Sequence, residues 1–155
     1  MTSETSSRIA PLRFLVVEDN AFTSQVVARA LQSLGAVEVH TARTGREGLD
    51  VVARLDPPPD VILLDLRMPE MGGVEMITRL GDRGFPGYVI ITSGVDAETL
   101  ASVEKVAGRN SVRLLGCLPK PIESAQLAEL LAKVTDEAPV KEPVKEPAPK
   151  APGEG

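Results

Sequence analysis

Aromatic residues are scarce: the chain has no tryptophan, one tyrosine and three phenylalanines among its 155 residues. A core has to be packed from Leu, Val, Ile and Ala, and a nucleic-acid surface built on base stacking has few candidates. Excess positive charge is missing too. With 17 Lys and Arg against 22 Asp and Glu, the formal net charge is −5 and the pI is near 5.0. That balance lacks the electrostatic footprint of a DNA- or RNA-binding surface, so nucleic acid is not an expected partner. The single cysteine, Cys117, cannot close an internal disulfide. No apolar run approaches the ~20 residues of a spanning helix, and no direct membrane role is expected. Residues Met1 to Arg8 lack the basic start and apolar stretch of a secretory signal, so the expected location is cytoplasmic.

What is present is ordinary globular material, 43% hydrophobic and 25% charged, in a length that suits one domain. The expected organisation is a disordered lead-in over 1–11, a folded domain over 12–134 and a disordered tail over 135–155. The tail repeats Pro139-Val-Lys-Glu, Pro143-Val-Lys-Glu and Pro147-Ala-Pro-Lys, which buries nothing and reads as a solvated spacer. Its other reading is a docking peptide for a proline-recognising partner.

Within the domain, apolar strands alternate with amphipathic helices. Phe14-Leu-Val-Val17 is an apolar run, and from Ala21 to Leu34 the apolar positions 22, 26, 27, 30, 31 and 34 follow the helical period. Strands are expected at 37–42, 61–64, 88–92 and 112–118, and helices at 45–55, 74–83, 97–106 and 124–134. Prolines 57 to 59 close the second helix. Five strands, each followed by a helix, imply an α/β fold with a doubly wound parallel sheet covered on both faces. In such sheets ligands bind beyond the carboxyl ends of the strands.

Chemistry gathers at those ends. Glu18, Asp19 and Asn20 follow the first strand, Asp65 the third, Thr92, Ser93 and Gly94 the fourth, and Lys120-Pro121 the fifth. Three carboxylates converging on one edge repel one another unless a cation intervenes, and a hard divalent ion such as Mg2+ suits so small an oxygen set. A carboxylate can attack phosphorus when positive charge neutralises the incoming group, which makes Asp65 the candidate nucleophile. Lys120 can bring a mobile charge to one phosphoryl oxygen, and Ser93 a hydroxyl that swings to another; Gly94 leaves room for the approach. Taken singly, a strand-end carboxylate is more often a helix cap, Ser93 a turn residue and Lys120 a surface lysine. Four complementary groups at the ends of four strands are harder to ascribe to chance. Met68-Pro69 and Gly72-Gly73 read as turn formers, and His40, alone in mid-strand, reads as structural.

The stretches Phe14-Leu-Val-Val-Glu-Asp-Asn20, Val61-Ile-Leu-Leu-Asp-Leu-Arg-Met-Pro-Glu-Met-Gly-Gly73, Val89-Ile-Ile-Thr-Ser-Gly94 and Leu118-Pro-Lys-Pro121 together resemble a response-regulator receiver domain of the CheY-like superfamily. The resemblance covers about residues 12 to 134. It implies a stand-alone, flavodoxin-like (βα)5 domain with strand order 2-1-3-4-5. It also implies phosphoryl transfer to Asp65 from a sensor histidine kinase or a histidine phosphotransfer protein, and a downstream protein target. Mg2+ would be held by Asp19, Asp65 and the backbone carbonyl of Arg67, with Glu18 helping through water. Ser93 would be the switch hydroxyl, Lys120 the phosphate-binding lysine, and Lys120-Pro121 a cis peptide.

Two features depart from that pattern. Receivers carry Tyr or Phe three residues before the lysine, and here the position is Cys117, so the second switch residue lacks its ring. The interval from Ser93 to Lys120, 120 − 93 = 27 residues, resembles receivers fused to cyclic-di-GMP phosphodiesterases. Two rival readings stand beside this one. A receiver fold used as an interaction module without phosphorylation would not need the acidic set, Ser93 and Lys120. A haloacid-dehalogenase-like phosphatase would need a second Asp two residues after the nucleophile, where Arg67 stands. Self-phosphorylation and self-dephosphorylation are therefore the only expected catalysis.

Overall fold

Strand-forming runs and capped amphipathic helices alternate along the whole domain. The computed structural model describes residues 8–68, 71–93 and 96–137, with side chains described as far as 134. The elements are β1 (Arg13–Val17), α1 (Ala21–Ser33), β2 (Glu38–Ala42), α2 (Gly45–Arg54), β3 (Val61–Leu64), α3 (Gly73–Asp82), β4 (Tyr88–Ile91), α4 (Ala97–Arg109), β5 (Arg113–Cys117) and α5 (Ser124–Glu137). Three helices begin on a side-chain cap, which satisfies an N–H that has no partner within the helix. Asn20 Oδ1 accepts from Thr23 N–H at 2.9 Å, Thr44 Oγ1 from Glu47 N–H at 3.0 Å, and Asp96 Oδ1 from Thr99 N–H at 2.7 Å. Just past the last turns of α1 and α3, Gly35 and Gly84 take positive φ, which a residue without Cβ adopts at little cost.

All the strand pairings are parallel and the order is β2-β1-β3-β4-β5. Val17 pairs with both Ala42 and Leu64, Leu64 with Ile91, and Ile91 with Cys117. The carboxyl ends of all five strands therefore lie in line, and the residues just after them share one edge. Because β1 is flanked by β2 on one side and β3 on the other, the chain reverses its winding there, and a crevice opens between the ends of β1 and β3.

Strict alternation divides β1, β3 and β4 between two cores. Phe14, Val16, Val61, Leu63 and Ile90 face Val27 and Leu31 of α1 and Leu127 and Leu131 of α5. Leu15, Val17, Ile62, Leu64, Val89 and Ile91 face Leu49 of α2, Met76, Ile77 and Leu80 of α3, and Val103 and Ala107 of α4. Burial on both faces is why β1, β3 and β4 read as continuous apolar runs.

Several sequence expectations shift. Phe22, counted into the apolar stripe of the first helix, is 74% exposed; it sits in the first turn, beyond the part of α1 that reaches the sheet. The fourth helix runs to Arg109 instead of 106, because Ala107 continues its buried stripe. Ile9 is 1% exposed and part of the core, so packing starts ahead of residue 12. Val37 is 77% exposed and precedes β2 instead of opening it. Residues 1–7, the tail beyond 137, Pro69 and Gly94 lie outside the described residues.

Candidate functional site

The turn after β3 delivers Asp65 into the crevice with 4% exposure. Its Oδ1 accepts from Ser93 Oγ–H at 2.5 Å and from Arg67 N–H at 3.1 Å, while Oδ2 lies 3.3 Å from Lys120 Nζ. Glu18, at the end of β1 and 2% exposed, places Oε1 2.8 Å from the same Nζ and accepts from Asn20 N–H on Oε2 at 3.1 Å. Asp19 is half-buried beside it, and one carboxylate oxygen from each of Glu18, Asp19 and Asp65 lies within 4.8 Å of the others. Asn20, Thr23 and Arg67 complete, with these residues, a cleft of about 360 Å³. The Lys120–Pro121 peptide is cis.

The chain matches the family model of the response regulator receiver domain over residues 14–132. It belongs to the receiver family. A receiver is a signalling switch of two-component systems, and this one is similar to the chemotaxis protein CheY of Treponema pallidum, 27% identical over 81% of this chain and 83% of that protein. It is 33% identical to a protein-glutamate methylesterase/protein-glutamine glutaminase of Koribacter versatilis, covering 84% of this chain and 34% of that protein. Among solved structures it resembles the N-terminal domain of an uncharacterized protein from Wolinella succinogenes, with TM-score 0.68 and 33% identity over 84% of this chain and 98% of that one. The chain spans between about a third and a half of the length of several curated relatives it matches. No described helix is long and apolar enough to cross a membrane.

Charge in the receiver cleft is offset in part by a lysine. Burial pushes the Glu18 carboxyl above its usual range and Asp65 adds to the rise, while Lys120 and Asn20 N–H oppose it. Burial pulls the Lys120 ammonium down, but Glu18 and Asp65 together outweigh that and hold it above its usual value. Glu18 Oε1 is buried without an aligned hydrogen bond, so it keeps lone-pair capacity toward the cleft. Three converging carboxylates with such an oxygen fit a small hard cation, and Mg2+ is the one receivers bind at their acidic pocket.

Of the strand-end residues singled out in the sequence, Glu18, Asp19, Asn20, Asp65, Ser93 and Lys120 line the cleft and Arg67 stands on its exposed rim, whereas Thr92 and Pro121 do not line it. Cys117 does not line it; its Sγ donates to the Ser93 backbone carbonyl from behind, at 2.9 Å. The Ser93 hydroxyl, expected to swing in, already rests on Asp65 and also accepts from Leu66 N–H at 2.9 Å. His40 lies away on β2, paired with Glu38 at 2.8 Å. Asn20, placed at this edge by the sequence, also opens α1 as its cap, and Thr23 is the cleft wall the sequence did not point to. Sequence reasoning also missed the pairing of Lys120 with Glu18, because no spacing rule relates the ends of β1 and β5.

Proposed function

We propose that this receiver accepts a phosphoryl group on Asp65 from a histidine kinase or histidine phosphotransfer protein, and that the modified cleft edge changes the binding of a downstream protein. The observation that carries the reading is a buried carboxylate held at once by a hydroxyl, a backbone N–H and an ammonium in an open cleft. In the transfer, an Asp65 carboxylate oxygen attacks phosphorus, the P–N bond of the donor phosphohistidine breaks, and the imidazole leaves with the electron pair. Lys120 follows the transferred group as a point charge on one oxygen, and Ser93 O–H turns from Asp65 to another. Glu18, Asp19, Asp65 and the Arg67 carbonyl would hold Mg2+, which supplies neutralising charge in the transition state. Arg67, in place of a second aspartate, leaves no acid for turnover of outside substrates, so the chemistry stays on the chain itself.

Intact acidic residues together with Ser93 and Lys120 argue against a module read without phosphorylation. The test is incubation with a small-molecule phosphodonor and Mg2+. The wild type should gain an acid-stable, base-labile label that chelation prevents, and Asp65→Asn should gain none. Labelling of the asparagine variant at the wild-type rate would overturn the assignment.

A further inference from the structure

We infer that Cys117 is a positioning residue that presents Ser93 to the phosphoryl group, an inference that rests on Asp65 being the acceptor. Ser93 is gripped at both ends. Its hydroxyl donates to Asp65 Oδ1 and accepts from Leu66 N–H, both contributed by the chain following β3. Its backbone carbonyl accepts from Cys117 Sγ at 2.9 Å, from β5 on the opposite side. One step back along the sheet, Leu118 N–H donates to Ile91 O at 2.6 Å, so the backbones that carry the two residues are themselves joined.

This grip has a chemical consequence. A serine on an unrestrained loop loses backbone and rotamer freedom when it closes on a ligand, and that loss weakens binding. Here the ordering is already present in the unmodified protein. When a phosphoryl oxygen arrives, the Ser93 proton has only to turn from Asp65 Oδ1 to it, while Leu66 N–H keeps the oxygen in place. Ser93 is 4% exposed, so losing the thiol would leave its carbonyl buried with one donor fewer. An aromatic side chain could not supply that donor from its ring; the thiol does, weakly but in place.

Cys117 also packs against the core formed with α2, α3 and α4, so filling space has to be separated from hydrogen bonding. Serine keeps a donor of similar size, whereas alanine and valine do not. The full chain, as wild type and as Cys117→Ser, Cys117→Ala and Cys117→Val, can be titrated with beryllofluoride in the presence of Mg2+. Amide shifts of the metal-free proteins give a second readout. Alanine should weaken beryllofluoride binding about fivefold, the worth of one ordinary hydrogen bond of ~1 kcal/mol, and serine should stay within about twofold of wild type. The Leu66 amide, which donates to Ser93 Oγ, should shift in the alanine protein and return in the serine protein. Valine should match alanine, and it replaces alanine if that variant melts below the assay temperature.

Serine as weak as alanine would reduce Cys117 to packing and overturn the inference. So would alanine binding as tightly as wild type with the Leu66 amide unmoved. If wild type itself binds no beryllofluoride, the acceptor reading of Asp65 fails, and the amide comparison alone then decides whether Cys117 holds Ser93.

Discussion

Glu18 is 2% exposed, and burial is the largest influence raising its carboxyl above the ordinary value of 4.5, with Asp65 adding and Lys120 opposing. A carboxyl raised in the fold binds its proton more tightly there than in the unfolded chain. Stability is therefore lost as pH rises from the ordinary glutamate range through the folded value, and recovered as pH falls back. Glu18→Gln keeps the shape and the acceptor for Asn20 N–H while removing the charge. Without metal it should melt above wild type at pH 7, and the gap should close as pH falls toward 4 in parallel thermal melts. A glutamine protein that melts lower at pH 7 would show that the Lys120 pair outweighs burial. The chemistry of these residues was legible because each directly follows a strand, and strand ends share an edge. The Lys120–Glu18 contact was not legible, since it depends on the lysine side chain after β5 bringing its Nζ to 2.8 Å from the carboxylate after β1. Nor was the inward Ser93 hydroxyl, a rotamer that no spacing specifies.

Elements were readable where burial is two-sided or periodic. β3 and β4 are buried throughout and stand out as Val61-Ile-Leu-Leu64 and Tyr88-Val-Ile-Ile91. β2 lies at the sheet edge, and its pattern is correspondingly weaker. Gly72-Gly73 read as turn formers, yet Gly72 sits in extended backbone at φ −73, which any residue can adopt. What Gly73 allows is proximity: a Cβ there would lie 2.8 Å from Leu66 Cα and 3.1 Å from Asp65 O. The first turn of α3 is thereby packed against the backbone carrying the acceptor. Gly73→Ala should destabilise by about 1–3 kcal/mol, the usual cost of overpacking, and displace the Asp65 turn enough to weaken Mg2+ uptake. Denaturant melts and Mg2+ titration check both; unchanged metal affinity would confine the effect to packing. Phe22 offers the opposite case, since an exposed ring contributes little to the fold. Phe22→Ser should leave stability within about 0.5 kcal/mol of wild type, and a larger loss in the same melts would place the ring in a contact that its exposure does not suggest.

Across the whole molecule, alternating elements establish a covered parallel sheet but not the order of its strands. The order β2-β1-β3-β4-β5 followed from the resemblance carried by the strand-end motifs, and it is what puts Asp19 and Asp65 on either side of one crevice. Neither core depends on the carboxylates in that crevice. Metal binding should therefore stabilise the fold by simple linkage, by about 2.7 kcal/mol when free Mg2+ is a hundredfold above its dissociation constant. Asp19 separates this from a structural role. It is half-buried, and Asn20, not Asp19, caps α1, so Asp19→Ala removes one of three mutually repelling carboxylates without opening a helix end. The alanine protein should melt at or above the wild-type temperature without metal and should show no rise as Mg2+ is added, while the wild type climbs with the logarithm of Mg2+ concentration. A clear loss of metal-free stability with the Mg2+ response intact would instead make Asp19 part of the scaffold and leave the cation to Glu18 and Asp65.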